Sequence, residues 1–367
     1  MRIAIVVPYV WQVRGNRLAF SLAKELAAHH DVVVLVEAIH DRIIDDVRRQ
    51  LSPAALWFLR RTRSTSVSNR KLLARQLSRG GDRRISQSLR EFHVGSPLDW
   101  VVSFANEGHW VGDYVSRWQA SNRPRTALVM MDPIDQIFLL ARDRPNPRVR
   151  EFLLPLYPIL HQIEAGRIRR FDRLFSISRW ISELCVSLYG RRPMASLAAV
   201  DAEVFRPLPG IDGSPPYIAV PTVSIGPVEE PLLRSLFENG LPLVTYGPRA
   251  IQGIPHRGYL PDPELVSFLN GARLTLFLFD YEGLGLVPLE SLAVGTPVVT
   301  QPKGGPLAEL SENRFVRFAD DPATLLSHCR RLLDEPKTSG LVNEVRSGIG
   351  DHFVSEVALR WARNLES

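Results

Sequence analysis

Residues 32–36, VVVLV, form an unbroken apolar run with charged residues on either side of it. A strand with one solvated face alternates apolar and polar side chains. A continuous run must instead be covered on both faces, as the strands of a parallel sheet are when helices clothe it. The neighbouring residues supply such cover. RIAIVVPY (residues 2–9) reads as a strand, VWQVRGN (10–16) as a loop, RLAFSLAKELAAH (17–29) as a helix with apolar residues at helical spacing, and DVVVLVEA (31–38) as the next strand. LDWVVSFA (98–105), RTALVMM (125–131) and DRLFSIS (172–178) are further short strands, separated by segments that could be helical. The pattern predicts a doubly wound α/β domain.

Near Leu197 the texture changes. VDAEVFRPLPGIDGSPP (200–216) is rich in Pro and Gly with little periodicity, as a linker is. A second α/β series follows, with candidate strands YIAVP (217–221), PLVTYG (242–247), RLTLFLF (273–279) and PVVTQ (297–301). EPLLRSLFEN, DPELVSFLN, VPLESLAV and DPATLLSHCRRLLDE have the spacing of helices between them. A length of 367 residues accommodates two domains of ordinary size. We expect an N-terminal domain over residues 1–206, a C-terminal one over 207–345, and a last helix within 346–367 packing back on the first. In such sheets the binding site lies at the carboxyl ends of the strands, here expected in the crevice between the domains.

Charge is unevenly shared. Residues 1–200 hold 31 Lys and Arg against 18 Asp and Glu, a net of +13, whereas residues 201–367 are net −7. Residues 41–90 alone contribute +9, and IIDDVRRQL and PAALWFLRR there alternate apolar and basic groups as amphipathic helices on an anionic surface do. A solvated basic face and an anionic membrane or lipid-phosphate acceptor are both compatible with this. Nucleic acid is disfavoured, because no stacking aromatics interleave the charges. The longest apolar runs, residues 274–279 and 152–160, fall far short of the roughly 20 residues of a membrane-spanning helix. The N-terminus runs straight into a strand, so no secretory signal is expected. Cys185 and Cys329 stand in no metal or redox spacing and read as small buried side chains. The expected location is cytoplasmic, with peripheral contact at the inner membrane face as the alternative.

The most informative stretch is FDYEGLGLVPLESLAVGTPVVTQPKGGPLAEL, residues 279–310. A buried strand ends at Phe279, a loop with Gly283 and Gly285 follows, and a helix starts near Val287 or Pro288, where Pro is favoured in the first turn. A helix N-terminus offers free N–H groups to an anion, and glycines let a ligand approach the backbone closely. Glu282 precedes this helix and Glu290 lies about one turn into it. Carboxylates accept hydrogen bonds, so a pair of them can grip vicinal hydroxyls of a sugar or a ribose.

YEGLGLVPLESLAVGTPVV followed by KGGPLAEL resembles the Glu-x7-Glu signature of retaining glycosyltransferases of family 4, and HRGYLPDPELVSFLNGARLTLFL (256–278) is similar to the segment before it. VDAEVFRP resembles the motif closing that family's first domain, and RGNRLAFSLAKELAAHHDVVVL its first glycine-containing loop and helix. The resemblance implies the GT-B fold, two Rossmann-like doubly wound domains with the active site in the interdomain cleft. It implies that Glu282 contacts the donor sugar, that the amides of Gly283, Leu284, Gly285 and Leu286 meet sugar and phosphates, and that Glu290 holds the ribose. Gly258, Tyr259 and Leu260 would lie near the nucleobase, and Gly15 with Asn16 near the phosphates. Lys303 stands where a cation could face phosphate, and a plain surface role fits it equally.

The match also has gaps. Family members usually carry a Gly-Arg motif and a nearby Lys after the first strand of the second domain, and these neutralise the leaving diphosphate. Here that region reads YIAVPTVSIGPVEEPLLRSL, with its first Arg at Arg234 and no Lys. Arg249 is the first candidate to stand in. At MMDP, where relatives place a His, this chain has Asp132, with Asp135 beyond it. Either the two orient an acceptor hydroxyl or Asp132 simply starts the next turn. His109, beside Trp110, could touch the acceptor or be structural. Ser178 is read as the cap of the helix starting RWISELC. No Asp-x-Asp triplet and no His/Cys cluster of ligand spacing occurs, so neither a metal nor a cofactor is expected.

The expected activity is therefore metal-independent, retaining transfer of a sugar, as by a hexosyltransferase, from a UDP- or GDP-linked donor to a sugar, lipid-linked or small-molecule acceptor. Two rivals stay open. One is an inactive homologue acting as the partner of another transferase. The other is a different GT-B enzyme, such as an epimerase or phosphorylase.

Overall fold

In the computed structural model, residues 1–10, 16–40, 43–58, 61–62, 83–104, 110–133, 155, 157–209 and 216–367 are described. The chain divides into two units, Met1–Leu197 with Ala358–Ser367, and Ala198–Val357. Each unit is built on one sheet, and the strand pairs in both sheets are parallel.

The first sheet contains β1 (Arg2–Val10), β2 (Asp31–His40), β3 (Ala55–Phe58), β4 (Arg61–Thr62), β5 (Trp100–Phe104), β6 (Arg125–Met130) and β7 (Arg173–Ser176). Its order is β3-β2-β1-β5-β6-β7, with β4 beside β2, so the winding reverses at β1 as in a doubly wound fold. Val32 to Val36 sit on β2 at no more than 5% exposure, so the apolar run is covered on both faces as its composition requires. Helix Arg17–Leu26 buries Leu18, Phe20, Leu22 and Leu26. Ser178 caps helix Arg179–Tyr189 by accepting the Ile181 N–H at 3.1 Å, and Gly190 closes it in the left-handed conformation. Helix Val354–Glu366 inserts Trp361 edge-on against Phe104 and Phe175 of this unit, at 5.9 and 6.0 Å between ring centroids.

One expectation is corrected here. IIDDVRRQL does form a helix, Ile44–Leu51, but PAALWFLRR does not: Ala55–Phe58 is the edge strand β3. Pro53 cannot extend the helix, and the Ala-Leu-Trp-Phe sequence pairs with β2 from Val33↔Ala55 to Val36↔Phe58. Trp57 stays 53% exposed on that edge, touching only the ring of Phe92 among the aromatic residues described. Most of the basic stretch that follows, residues 63–82, lies outside the described residues. No described helix is long and apolar enough to cross a membrane.

The second sheet contains β8 (Ile218–Pro221), β9 (Leu243–Tyr246), β10 (Leu274–Phe277), β11 (Val298–Thr300) and β12 (Val316–Phe318), in the order β12-β11-β10-β8-β9. Helix Pro322–Asp334 places Leu325, Cys329 and Leu332 at helical spacing in a core with Leu274, Leu276, Leu278 and Val299. Burial pushes the Cys329 thiol up to about 12, and that of Cys185 likewise, which makes both inert packing groups.

Lys337 fastens this unit from inside. Its ammonium donates to the carbonyls of Asn270 and Ala272 at 2.5 and 3.1 Å and to Thr296 Oγ1 at 2.5 Å, closing the end of helix Asp262–Gly271. Burial, with the nearby Arg273 adding to it, pulls the ammonium down to about 7. The unfolded chain therefore binds the extra proton between about pH 7 and the ordinary lysine range, and stability from this group rises with pH across that window. Lys337→Met should lose about 2 kcal/mol or more, because the carbonyls are left unpaired, and should flatten the slope of stability between pH 7 and 9. Denaturant titrations of both proteins at several pH values check this.

Candidate functional site

Because the second sheet is parallel, residues 222–228, 247–261, 278–285 and 301–303 all leave its strands at one edge. The chain runs outward from β8 to β9 in one direction and from β10 to β11 and β12 in the other. The loops leaving β8 and β10 thus part at the switch point, where sheets of this kind bind ligands.

Around that point the backbone is drawn tight. Ser224 Oγ donates to the Leu278 carbonyl at 3.0 Å, and the Asp280 N–H to the Ser224 carbonyl at 3.3 Å, which ties the two loops together. Gln301 accepts the Phe279 N–H at 2.9 Å and brings in the loop after β11. The Gly305 N–H donates to the Glu282 carbonyl at 3.0 Å. A Cβ on Gly304 would fall 2.7 Å from that carbonyl oxygen, and one on Gly305 would fall 2.6 Å from both Gly283 C and Leu284 Cα. Only glycines permit helix Gly304–Leu310 to approach the Glu282 turn this closely.

Glu282 shapes the turn it stands in. Its Oε1 accepts the N–H of Leu284 at 3.1 Å and of Gly285 at 3.0 Å. A carboxylate thus sits at the positive end of helix Leu286–Ala293, and Gly285 enters that helix at φ 88°. Two of the amides that the resemblance assigns to sugar and phosphates are therefore held by Glu282 itself in this structure. Gly283 belongs to the same turn and Leu286 opens the helix. Glu290, the fifth residue of the helix, is 4% exposed, a carboxylate almost withdrawn from solvent.

Lys303 lies just before helix Gly304–Leu310. Its ammonium is 3.6 Å from Glu229 Oε1 and 5.2 Å from the centroid of the Phe279 ring. Glu229 is 2% exposed, and its Oε2 accepts the Gly226 N–H at 3.2 Å. Arg249 is engaged differently: it pairs with Glu230 at 2.5 Å and donates to the Ile225 carbonyl at 3.1 Å, so it braces the segment after β8. Hydrogen bonds from Arg234 and then Arg249 hold the Glu230 carboxyl below its ordinary range.

Gly258 has φ 71° and its carbonyl accepts the Gly247 N–H at 2.8 Å, which pins the loop after β9 to its own strand. Tyr259 beside it is 52% exposed and Leu260 is buried. In the first unit, Asn16 precedes helix Arg17–Leu26, and Asp132 lies in a bend after β6. Gly15, His109 and Asp135 lie outside the described residues. No group of His, Cys, Asp and Glu able to hold a metal occurs among the described residues. Glu229 and Gln301 were not singled out from sequence, because their partners are 74 residues away at Lys303 and 22 away at Phe279.

Two parallel-sheet units of this kind constitute a GT-B fold of two Rossmann-like domains, and the comparisons agree with it. Residues 253–343 match the family model of glycosyl transferases group 1, a stretch that contains the Glu282 turn, Glu290 and Lys303. Sucrose-phosphate synthase from Thermosynechococcus elongatus is similar over 100% of this chain and 98% of its own, with a TM-score of 0.74 at 13% identity. The HepE protein of Anabaena in complex with UDP-glucose is similar over 100% and 99%, with a TM-score of 0.69 at 12% identity. A glycosyltransferase from Rickettsia africae covers 100% and 97%, with a TM-score of 0.66 at 12% identity. No curated protein matches at the level of sequence.

Proposed function

We propose that this chain transfers a sugar from a nucleotide-sugar donor to an acceptor hydroxyl, with the donor held at the carboxyl edge of the second sheet. The observation that carries the reading is the Glu282 turn, locked between Gly305 and helix Leu286–Ala293 at the switch point, inside the segment that matches glycosyl transferases group 1. Glu282 would accept hydroxyls of the transferred sugar and Glu290 those of the ribose, with Tyr259 beside the base. The HepE structures contain UDP and UDP-glucose, so UDP-linked donors are the first to test and GDP-linked ones the second.

The transfer we propose is retaining and needs no metal. The bond from the anomeric carbon to the phosphate oxygen breaks while the acceptor oxygen bonds to the same face of that carbon. The acceptor proton passes to the departing phosphate oxygen, so no protein base is required. Asp132 and His109 remain candidates to orient the acceptor. The test is incubation with UDP- and GDP-linked hexoses and a panel of sugar and lipid-linked acceptors, following release of nucleoside diphosphate. Release that depends on one donor and one acceptor is expected. A second reading draws on the charge pairs: with Arg249 tied to Glu230 and Lys303 facing Glu229, the chain would bind nucleotide without turning it over. Binding of nucleoside diphosphate with no release from any donor would favour that reading.

A further inference from the structure

Resting on the proposed donor site, we infer that Lys303 is the cation that meets the leaving diphosphate and that buried Glu229 is its fixed counter-charge, setting how tightly that group is held.

Three observations converge on this pair. Lys303 comes from the loop after β11, Phe279 from the loop after β10, and Glu229 from the helix that follows the β8 loop, so the ammonium stands where the three loops meet. Next, Lys303 is oriented rather than loose. The Phe279 ring lies beneath the ammonium and Glu229 Oε1 lies to one side at 3.6 Å, yet its side chain keeps 42% of its exposure. Glu229 is the reverse, 2% exposed and anchored by the Gly226 N–H, so it cannot swing out to follow the lysine. An exposed cation beside a buried, anchored anion can turn toward a second anion without losing the first.

Finally, Arg249, another cation near the β8 loop, is committed. The Arg249 guanidinium closes on Glu230 and on the Ile225 carbonyl, contacts internal to the fold. Glu230 also takes Arg234. Lys303 is the better placed of the two to exchange its partner, since the 3.6 Å separation from Glu229 is wider than a tight hydrogen-bonded pair.

The chemistry gives the pair a purpose. A lone cation at a diphosphate stabilises the charge that develops as the sugar departs, but it also holds the product. A carboxylate buried behind it offsets part of that field in both states, weakening the grip on nucleoside diphosphate. Glu229 is a positioning residue here, acting through Lys303.

The test uses the whole chain and calorimetric titration with UDP, GDP, UMP and GMP, read as the ratio of monophosphate to diphosphate Kd. Lys303→Met should lower that ratio about fivefold, because Glu229 then faces the second phosphate uncompensated. Glu229→Gln, which keeps a hydrogen-bond acceptor for Gly226, should raise the ratio by a similar factor and slow turnover through retained product. Lys303→Arg should leave the ratio near that of the unaltered protein. A merely structural pair would change both Kd values together and leave the ratio fixed, which overturns the inference while the donor site stands. Should Glu229→Gln fail to fold, an unchanged ratio in Lys303→Met decides against it alone. If the unaltered protein binds none of the four nucleotides, the donor site and this inference fall together.

Discussion

Gly305→Ala should abolish nucleotide binding and destabilise the second unit by about 3 kcal/mol or more, within the upper range for inserting atoms into packed structure. The reason is the identity of the atoms in the way. A Cβ at this position would be 2.6 Å from Gly283 C and Leu284 Cα and would press on the Gly283 carbonyl oxygen, all of them backbone. No rotamer change relieves such a clash, so the Glu282 turn must move and the Gly305 hydrogen bond to the Glu282 carbonyl must break. Gly240 is the appropriate control. It has φ 85° but nothing within 4 Å of an added Cβ, so Gly240→Ala should cost only about 1 kcal/mol and leave binding intact. Thermal unfolding and nucleotide titration of the two variants separate the effects. Equal losses in both would mean that the close approach of helix Gly304–Leu310 to the turn is not what holds it.

The second large effect is expected at Glu290. Its carboxylate is 4% exposed, and a buried carboxylate that accepts two ribose hydroxyls makes charge-assisted hydrogen bonds worth about 1.5 to 3 kcal/mol each. Glu290→Ala should therefore weaken donor and nucleoside diphosphate binding by about 100-fold or more. A ligand change sharpens the test. The unaltered protein should discriminate against a 2′-deoxyribose nucleotide, and the variant should bind ribose and deoxyribose forms alike. Loss of affinity with discrimination retained would show that Glu290 acts on the fold and not on the ribose. Glu282→Ala should instead act on turnover, because it releases the Leu284 and Gly285 amides and removes a proposed sugar contact.

Much of the fold was legible from the chain because parallel strands are buried on both faces and announce themselves as short apolar runs. RIAIVVPY and DVVVLVEA lie within strands that run one and two residues further, and RTALVMM and RLTLFLF contain theirs. Three strands escaped for physical reasons, β4 because it is only two residues long. β3 is an edge strand whose Trp57 stays exposed, so its apolar and basic residues imitate an amphipathic helix. β12 is three residues long with Arg317 in its middle, too short to show a period.

The site divides along a similar line. Glu282, the glycines after it and the helix start near Pro288 are neighbours in sequence, so their chemistry could be read directly. The pairing of Lys303 with Glu229 and the approach of Gly305 to Gly283 depend on which strands lie side by side. Local spacing carries no trace of that order. The fold of Glu282 back onto the amides of Leu284 and Gly285 was also invisible, because a carboxylate before a helix fits solvent, ligand or backbone equally well.

Hydrogen exchange of the whole chain, read peptide by peptide with and without a saturating UDP- or GDP-linked hexose, bears most directly on where the donor rests. Slowed exchange concentrated in residues 278–290 and 301–310, with smaller changes near residues 256–260, is the predicted pattern. Unchanged exchange in those segments, while a donor demonstrably binds and protects another part of the chain, would contradict it.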